Sequence, residues 1–377
     1  PCPAGRPRGR AAACRGGLKN VPPQSTADLY PRVERAYLVG LQHPAETVEE
    51  ATILLDELQE LADTLGVTVV GRTLAKATHP NPRLLIGSGR ALEIVAAARS
   101  ADAQVIVFDD PLGPSQQRNW EALADLTVVD REEIILDIFG RRAQTREASL
   151  QIALARAQYD LPRLARKWTH LSRQRGMRGG TGARGEGEQQ IEVDARLVRT
   201  RIGRLHEQLE AVRRKRAVQR KQRTRKGVPT CAIVGYTNAG KSSLLNRLTG
   251  AGVATEDKLF ATLDPTTRRL VLPDHRELLL SDTVGFIRKL PHTLIQAFKA
   301  TLEEAAVADF LLEVIDVTSP QVEAHHETTR QVLAELGMAA KNRIIVFNKL
   351  DALSDPFAVQ RLRRRFPDSV FVSARTG

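Results

Sequence analysis

The chain has 377 residues, a formal net charge of +12, 42% apolar residues and only 4% aromatics. That length allows two or three domains, with cores built from Leu, Val, Ile and Ala. No apolar run nears the ~18 residues of a membrane span, and the three cysteines, Cys2, Cys14 and Cys231, have neither metal-ligand spacing nor the look of a disulfide framework.

Residues 1–30 form a basic tail rich in Arg, Ala and Gly, expected to be disordered. Its poverty in acids also resembles a transit peptide. The chain does not begin with Met, and we expect it to be an incomplete record of its gene product. The expected location is the cytoplasm, ribosome- or membrane-surface association included, or an organelle if the tail is a transit peptide.

Residues 31–145 alternate strand and helix patterns. AYLVGL, from Ala36 to Leu41, reads as a strand. Ile53, Leu54, Leu58 and Leu61 make a helical stripe closed by Gly66. TVVGRTL, VIVFDD and TVVD read as strands, and ALEIVAAARSA, SQQRNWEALAD and REEIILDIFGRRA as helices. This predicts an α/β domain with a mainly parallel sheet.

Residues 146–226 change period. Leu150, Leu154, Ala157, Leu161 and Leu164 form a short heptad seam, as do Val198, Ile202, Leu205, Leu209 and Val212. Two such helices predict an antiparallel hairpin with a glycine-rich tip, and Pro162 must kink or end the first. The tip contains GTGARG, Gly180 to Gly185, which fits the G-x-G-x-x-G pattern. A dinucleotide turn needs a strand just before it, and no strand pattern precedes Gly180. Two readings stay open, a flexible linker and a probe tip. In the second, Gly180 and Gly182 let the backbone approach a crowded surface, while Arg173, Arg175, Arg178 and Arg184 meet phosphates. Behind them, Arg213, Arg214, Lys215 and Arg216 belong to a segment, Arg196 to Lys226, whose only acids are Glu207 and Glu210. Such a run is either a solvated helix face or an anchor on a polyanion such as RNA.

Residues 227–377 carry a nucleotide motif in its required strand–loop–helix context. The strand CAIV, in which Cys231 is expected to be a core residue, leads into Gly235, Tyr236, Thr237, Asn238, Ala239 and Gly240, then Lys241, Ser242 and Ser243. Glycines let successive N–H groups cradle phosphates at a helix N-terminus. Lys241 reaches the β/γ-phosphates and the Ser242 hydroxyl takes Mg²⁺. Asp282, Thr283, Val284 and Gly285 form a second turn, with Asp282 suited to Mg²⁺ through a water and the Gly285 N–H to a γ-phosphate. Asn348, Lys349 and Asp351 form N-K-x-D, whose carboxylate accepts two hydrogen bonds from guanine and finds no such pair on adenine. Ser373, Ala374 and Arg375 end a last strand, where backbone meets the guanine O6. Thr262, Thr266 and Thr267 compete for a switch role, and spacing does not choose among them; Asp264-Pro265 reads equally as a turn.

On IGSGR, VFDDPLGPSQQRN, VVDREEIILDIFGRRAQTRE, GTGARGEGEQQIE, GYTNAGKSSLLNRL, LFATLDPTTRR, DTVGFI and NKLD, the chain resembles the HflX family of translation-factor-related GTPases from about Glu34 onward. The resemblance implies a GTPase that binds the large ribosomal subunit and its rRNA as a monomer, reaches toward the peptidyl transferase centre with its glycine-rich loop, and splits stalled ribosomes. It also places the switch threonine at Thr262, which joins Lys241 and Gly285 as expected catalytic groups. Glu186 and Gln189 stand where family members usually carry Pro and Thr. Phe286 stands where many GTPases place a water-orienting Gln, so either it packs or it excludes water, and slow intrinsic hydrolysis is expected. In some related GTPases an Asn like Asn238 helps hold K⁺. The resemblance further implies a closing helix beyond Gly377, hence a truncated G domain here. A different reading is an RNA-remodelling ATPase or GTPase acting on rRNA outside intact ribosomes, with a second nucleotide site in the N-terminal α/β region.

Overall fold

Short β-branched runs alternating with amphipathic stretches build two sheets in the computed structural model. It describes residues 34–77, 81–164, 183–224, 227–250, 258–291, 294, 302–355 and 357–377; within 183–224, side chains are described for 192–216.

The first sheet takes β1 (Arg35–Gln42), β2 (Thr68–Lys76), β3 (Val105–Phe108) and β4 (Thr127–Asp130), all parallel, in the order β2-β1-β3-β4. The crossovers are α1 (Val48–Leu65), α2 (Ser88–Ser100) and α3 (Pro114–Ala124), and α4 (Arg131–Arg142) follows β4 directly. The two-residue period of a strand sorts its side chains. Ala36, Leu38, Val105 and Val107 face a layer with Leu58, Leu61 and Phe139 of α1 and α4. Tyr37, Val39, Ile106 and Phe108 face Ile94 and Trp120 of α2 and α3. Helix α1 starts where Thr47 and Glu50 cap each other reciprocally. It stops at Gly66, whose φ of 77° lets its N–H turn back on the last carbonyls.

Helix α5 (Arg146–Asp160) ends ahead of Pro162, which sits in a 3-10 turn, Leu161–Arg163; the proline ends the helix rather than kinking it. The long helix α6 (Ala183–Thr224) packs back along α5. Leu154 meets Leu205 and Leu209, and Arg216 Nε lies 2.8 Å from Glu147, so partner numbers fall as α5 advances and the pair is antiparallel. One boundary differs from the sequence reading. Helix α6 already runs at Ala183, so Arg184 and the glycines after it are helical instead of forming a loop. Glycine costs a helix about 1 kcal/mol, but Arg184, Glu186, Gln189 and Gln190 favour helix, and acids near a helix N-terminus suit its dipole. Arg173, Arg175, Arg178, Gly180 and Gly182 lie outside the described residues, as do Cys2, Cys14 and the basic tail.

The second sheet takes β5 (Thr230–Gly235), β6 (Thr266–Val271), β7 (Glu277–Asp282), β8 (Phe310–Asp316), β9 (Arg343–Asn348) and β10 (Val370–Phe371) in the order β10-β9-β8-β5-β7-β6. All neighbours are parallel except β6 with β7. Its helices are α7 (Lys241–Thr249), α8 (Glu303–Val307), α9 (Val322–Glu335) and α10 (Ala358–Arg365). Cys231 is a core residue, packed with Ile233 and Leu245.

Candidate nucleotide site

Strand β5 delivers the chain into a loop that only glycine can open and close. Gly235 has φ 142°, and a Cβ there would stand 2.2 Å from the Val314 carbonyl oxygen. Gly240 has φ 86°, and a Cβ there would stand 2.3 Å from Asn348 Nδ2. Both conformations and both close approaches exclude a side chain. Between them the loop bends around a cavity of about 60 Å³. Thr237, Asn238, Gly240, Lys241, Ser242 and Ser243 line one side of it, and Thr262, Thr283 and Gly285 close the others. Helix α7 points its N-terminus at this space, which favours an anion.

At its foot three oxygens converge. Ser242 Oγ lies 2.7 Å from Thr262 Oγ1 and donates to Asp282 Oδ2 at 2.5 Å. Asp282 is fully buried, and its Oδ1 has no hydrogen-bond partner among the described residues. Burial pushes its carboxyl above the usual range, against the Ser242 hydrogen bond and the charge of Lys241. Two hydroxyls and a buried carboxylate with a spare oxygen are the donors a hard dication such as Mg²⁺ prefers. Thr266 and Thr267 stand apart on β6, and Thr267 bonds Ser281.

Lys241 is buried and donates to the Tyr236 carbonyl at 2.6 Å. Desolvation lowers its pKa to about 8, with Asp282 pulling the other way. Gly285 is pressed onto the loop: a Cβ there would lie 2.8 Å from Thr237 Cα and 2.9 Å from Lys241 Nζ. The next residue is laid along the loop like a strand. Phe286 N–H donates to the Gly235 carbonyl at 3.0 Å, and Thr237 N–H to the Phe286 carbonyl at 2.7 Å. The Phe286 ring is fully buried in the core. Thr283 donates its hydroxyl to the Ile233 carbonyl, and Val284 is a core residue, so both hold the turn from behind.

The expected base end is tied to the expected phosphate end through one amide. Buried Asn348 donates to the Ala239 carbonyl at 3.0 Å and accepts from Ala374 N–H at 2.9 Å. Lys349 has φ 66° and pairs with Asp316 at 2.7 Å. Asp351 is exposed and accepts from Ser373 Oγ at 2.6 Å, a hydrogen bond that holds its carboxyl below the usual range. Arg375 follows, exposed.

Sequence reasoning missed the groups that join this site to the first sheet. Lys258, Phe260 and Ala261 also line the cavity. Phe260 packs edge-on to Phe139 of α4, with centroids 4.6 Å apart. Asp264, read as part of a turn, accepts from the N–H groups of Gln144 and Thr145 at 3.0 and 3.1 Å and so fixes Thr145, which caps the start of α5. The Tyr236 side chain leaves the cavity, stacks on His325 and donates to Glu57 of α1. In the basic helix, Arg213 pairs with Glu210 and Arg216 with Glu147, while Arg214 and Lys215 are exposed.

Three family models match along the chain: a GTP-binding GTPase N-terminal region over residues 53–140, a GTP-binding GTPase middle region over 142–223, and a 50S ribosome-binding GTPase domain over 230–349. A protein of Akkermansia muciniphila named GTPase HflX is 53% identical over 86% of this chain and 75% of its own length. The protein of that name from Escherichia coli is 43% identical over 93% of this chain and 81% of its own. A GTP-binding protein of Sulfolobus solfataricus, solved with GDP, is 25% identical over 91% of this chain and 94% of its own, with a TM-score of 0.46.

Proposed function

Because the chain belongs to the HflX family of GTPases, we propose that it hydrolyses GTP at the edge of the six-stranded sheet while docked on the large ribosomal subunit. In its GTP-bound form it parts the subunits of stalled ribosomes, and hydrolysis resets it. The convergence of Ser242, Thr262 and Asp282 beneath the Lys241 loop carries the GTPase half of this reading. The ribosomal half is supported by the 50S-binding domain description and by the exposed Arg214 and Lys215 of α6, which suit rRNA phosphates.

The chemistry follows from charge. Water attacks the γ-phosphoryl group in line, and negative charge spreads over its oxygens. Lys241 and the Gly285 N–H meet that charge. Ser242 and Thr262 directly, and Asp282 through a water, would hold Mg²⁺, which supplies further charge neutralisation on the phosphates. Asp351 selects guanine, and the Ala374 backbone meets its O6. Phe286 is packed away in the core, so no side chain at that position hydrogen-bonds the attacking water. Intrinsic turnover is therefore slow, and the ribosome accelerates it. Asn238, at the cavity rim with φ 57°, would help hold a K⁺ ion that supplies further positive charge; equal rates in sodium and potassium would remove that part. The chain works as a monomer in the cytoplasm.

Ribosomes mixed with the chain and a non-hydrolysable GTP analogue should run as separated subunits in a sucrose gradient, with the chain on the large one. Intact ribosomes carrying bound chain would remove the splitting role. Absence of the chain from every ribosomal fraction would remove the ribosome itself.

A further inference from the structure

Open parallel sheets take ligands in the crevice beyond the carboxyl ends of their strands, where successive crossovers leave in opposite directions. In the four-stranded sheet that point lies between β1 and β3. His43 follows β1 there, and Asp109 and Asp110 follow β3. The crevice is filled from within the chain. Lys289, seven residues after Asp282, places Nζ 2.8 Å from Asp109 Oδ2 and 3.1 Å from Asp110 Oδ1. His43 Nε2 lies 2.9 Å from Asp110 Oδ1, and Arg131 Nη1 2.6 Å from Asp109 Oδ1. Arg131 also pairs with Glu57, the carboxylate that receives the Tyr236 hydroxyl. That hydroxyl accepts the Arg288 N–H at 2.9 Å. The segment 285–289 is thus tied directly to the edge of the first sheet through Lys289, and through the Tyr236 hydroxyl to Glu57 of α1, while Gly285 sits against the phosphate loop.

Lys289 holds a left-handed backbone, φ 51°, which a non-glycine residue keeps only where its surroundings insist. A phosphoryl group that touches both Lys241 and the Gly285 N–H needs an oxygen between them. Gly285 leaves no room on its Cα even for a Cβ, which would lie 2.9 Å from Lys241 Nζ and 2.8 Å from Thr237 Cα, so an entering oxygen has to displace the glycine or the lysine.

We propose that the crevice between β1 and β3 is a seat for Lys289, and that Lys289 is a positioning residue which holds Gly285 down on the phosphate loop until a γ-phosphate lifts it. The inference rests on the nucleotide site proposed above. It makes the first sheet a reader of the third phosphate: GDP binds with Lys289 seated, and GTP binds against that contact. It also fills with side chains the place where a second nucleotide would sit.

The test compares the full chain with Lys289→Met, which keeps the packing of the stem and removes the charge. Affinities for fluorescent GDP and for a fluorescent non-hydrolysable GTP analogue are measured with Mg²⁺ present. In the variant the GTP analogue should bind about fivefold tighter or more, the usual size of such coupling, with GDP affinity moved less than twofold. A merely structural role shifts both nucleotides alike, and that result, or weaker binding of the GTP analogue alone, overturns the proposal. Should Lys289→Met fail to fold, Asp110→Asn, which leaves Asp109 on Arg131, carries the same test with a tightening of about twofold expected, this being only part of that coupling. If the parent chain binds neither nucleotide, the site and the seat fall together.

Discussion

The two sheets place comparable chemistry at their carboxyl edges and use it oppositely. Beyond β1 and β3 stand His43, Asp109 and Asp110, joined by Arg131 from the end of β4, a cluster of charged side chains. Those acids are paired with cations of the same chain, Asp109 with Arg131 and Lys289 and Asp110 with Lys289 and His43, although Asp110 Oδ2 and Arg131 Nε make no hydrogen bond of their own among the described residues. Beyond β5 the loop is held open by Gly235 and Gly240, and Asp282 Oδ1 stays unmatched beside two hydroxyls. Charge density therefore does not mark the ligand site. A backbone that side chains cannot crowd, with a carboxylate oxygen and two hydroxyls converging at its foot, marks it.

Breaking the open edge should have the largest effect. Lys241→Ala removes the cation proposed to meet the γ-phosphoryl charge, and single-turnover hydrolysis at saturating GTP should fall about 10²–10³-fold. A fall below tenfold would mean the edge works without it.

Breaking the closed edge should cost stability instead. Arg131 is buried between Glu57 and Asp109, and Arg131→Met leaves both carboxylates short of a partner. Chemical denaturation should show a loss of about 3–5 kcal/mol. An unchanged midpoint would mean those acids find other partners.

A third probe sharpens the comparison through pH. Asp130, fully buried at the same edge, is raised by burial to about 6, with the Leu112 N–H and Arg163 working against the rise. Its unfolded pKa is lower, so between about pH 4 and 6 the folded chain holds the proton that the unfolded chain gives up. Ionised Asp130 therefore weighs against the fold above pH 6 and not below 4. Relative to Asp130→Asn, the parent should lose on the order of 2 kcal/mol of stability as pH rises through that window. Parallel pH profiles for the two proteins would remove this account of Asp130.

The smallest expected effect is on the outer face of α6. Arg214 and Lys215 are exposed, whereas Arg213 and Arg216 are committed to Glu210 and Glu147. Replacing Arg214 or Lys215 by Ala should lower the salt dependence of large-subunit binding by about one counterion each. Replacing Arg213 should change the slope less than replacing Arg214. The reverse order would mean Glu210 yields Arg213 to RNA.

Much of this was legible in the sequence because local chemistry demanded it. The alternating runs from Ala36 to Asp130 announce a parallel sheet, since a two-residue period followed by a helical stripe allows few other folds. The loop from Gly235 to Ser242 is readable because each residue type is needed where it stands. What stayed hidden is long-range. Tyr236 and Glu57 lie 179 residues apart, Lys289 and Asp109 180, and Asp264 and Thr145 119. No periodicity encodes such pairs, and a lone Asp or Lys in a turn looks like any solvated charge. The start of α6 was hidden for a different reason. Glycines near Ala183 argue locally for a loop, while the glutamates and glutamines among them favour helix, and propensity alone does not settle that contest.

Counting sites decides whether one carboxyl edge takes the nucleotide while the other is a seat for the chain itself. Calorimetric titration of the full chain with Mg²⁺ and a non-hydrolysable GTP analogue, then with an ATP analogue, should give one guanine nucleotide per chain, no adenine nucleotide, and weaker guanine binding by Lys241→Ala. Two nucleotides per chain, or guanine binding that Lys241→Ala leaves unchanged, would place a second site elsewhere, with the crevice between β1 and β3 first in line, and would overturn the single-site reading.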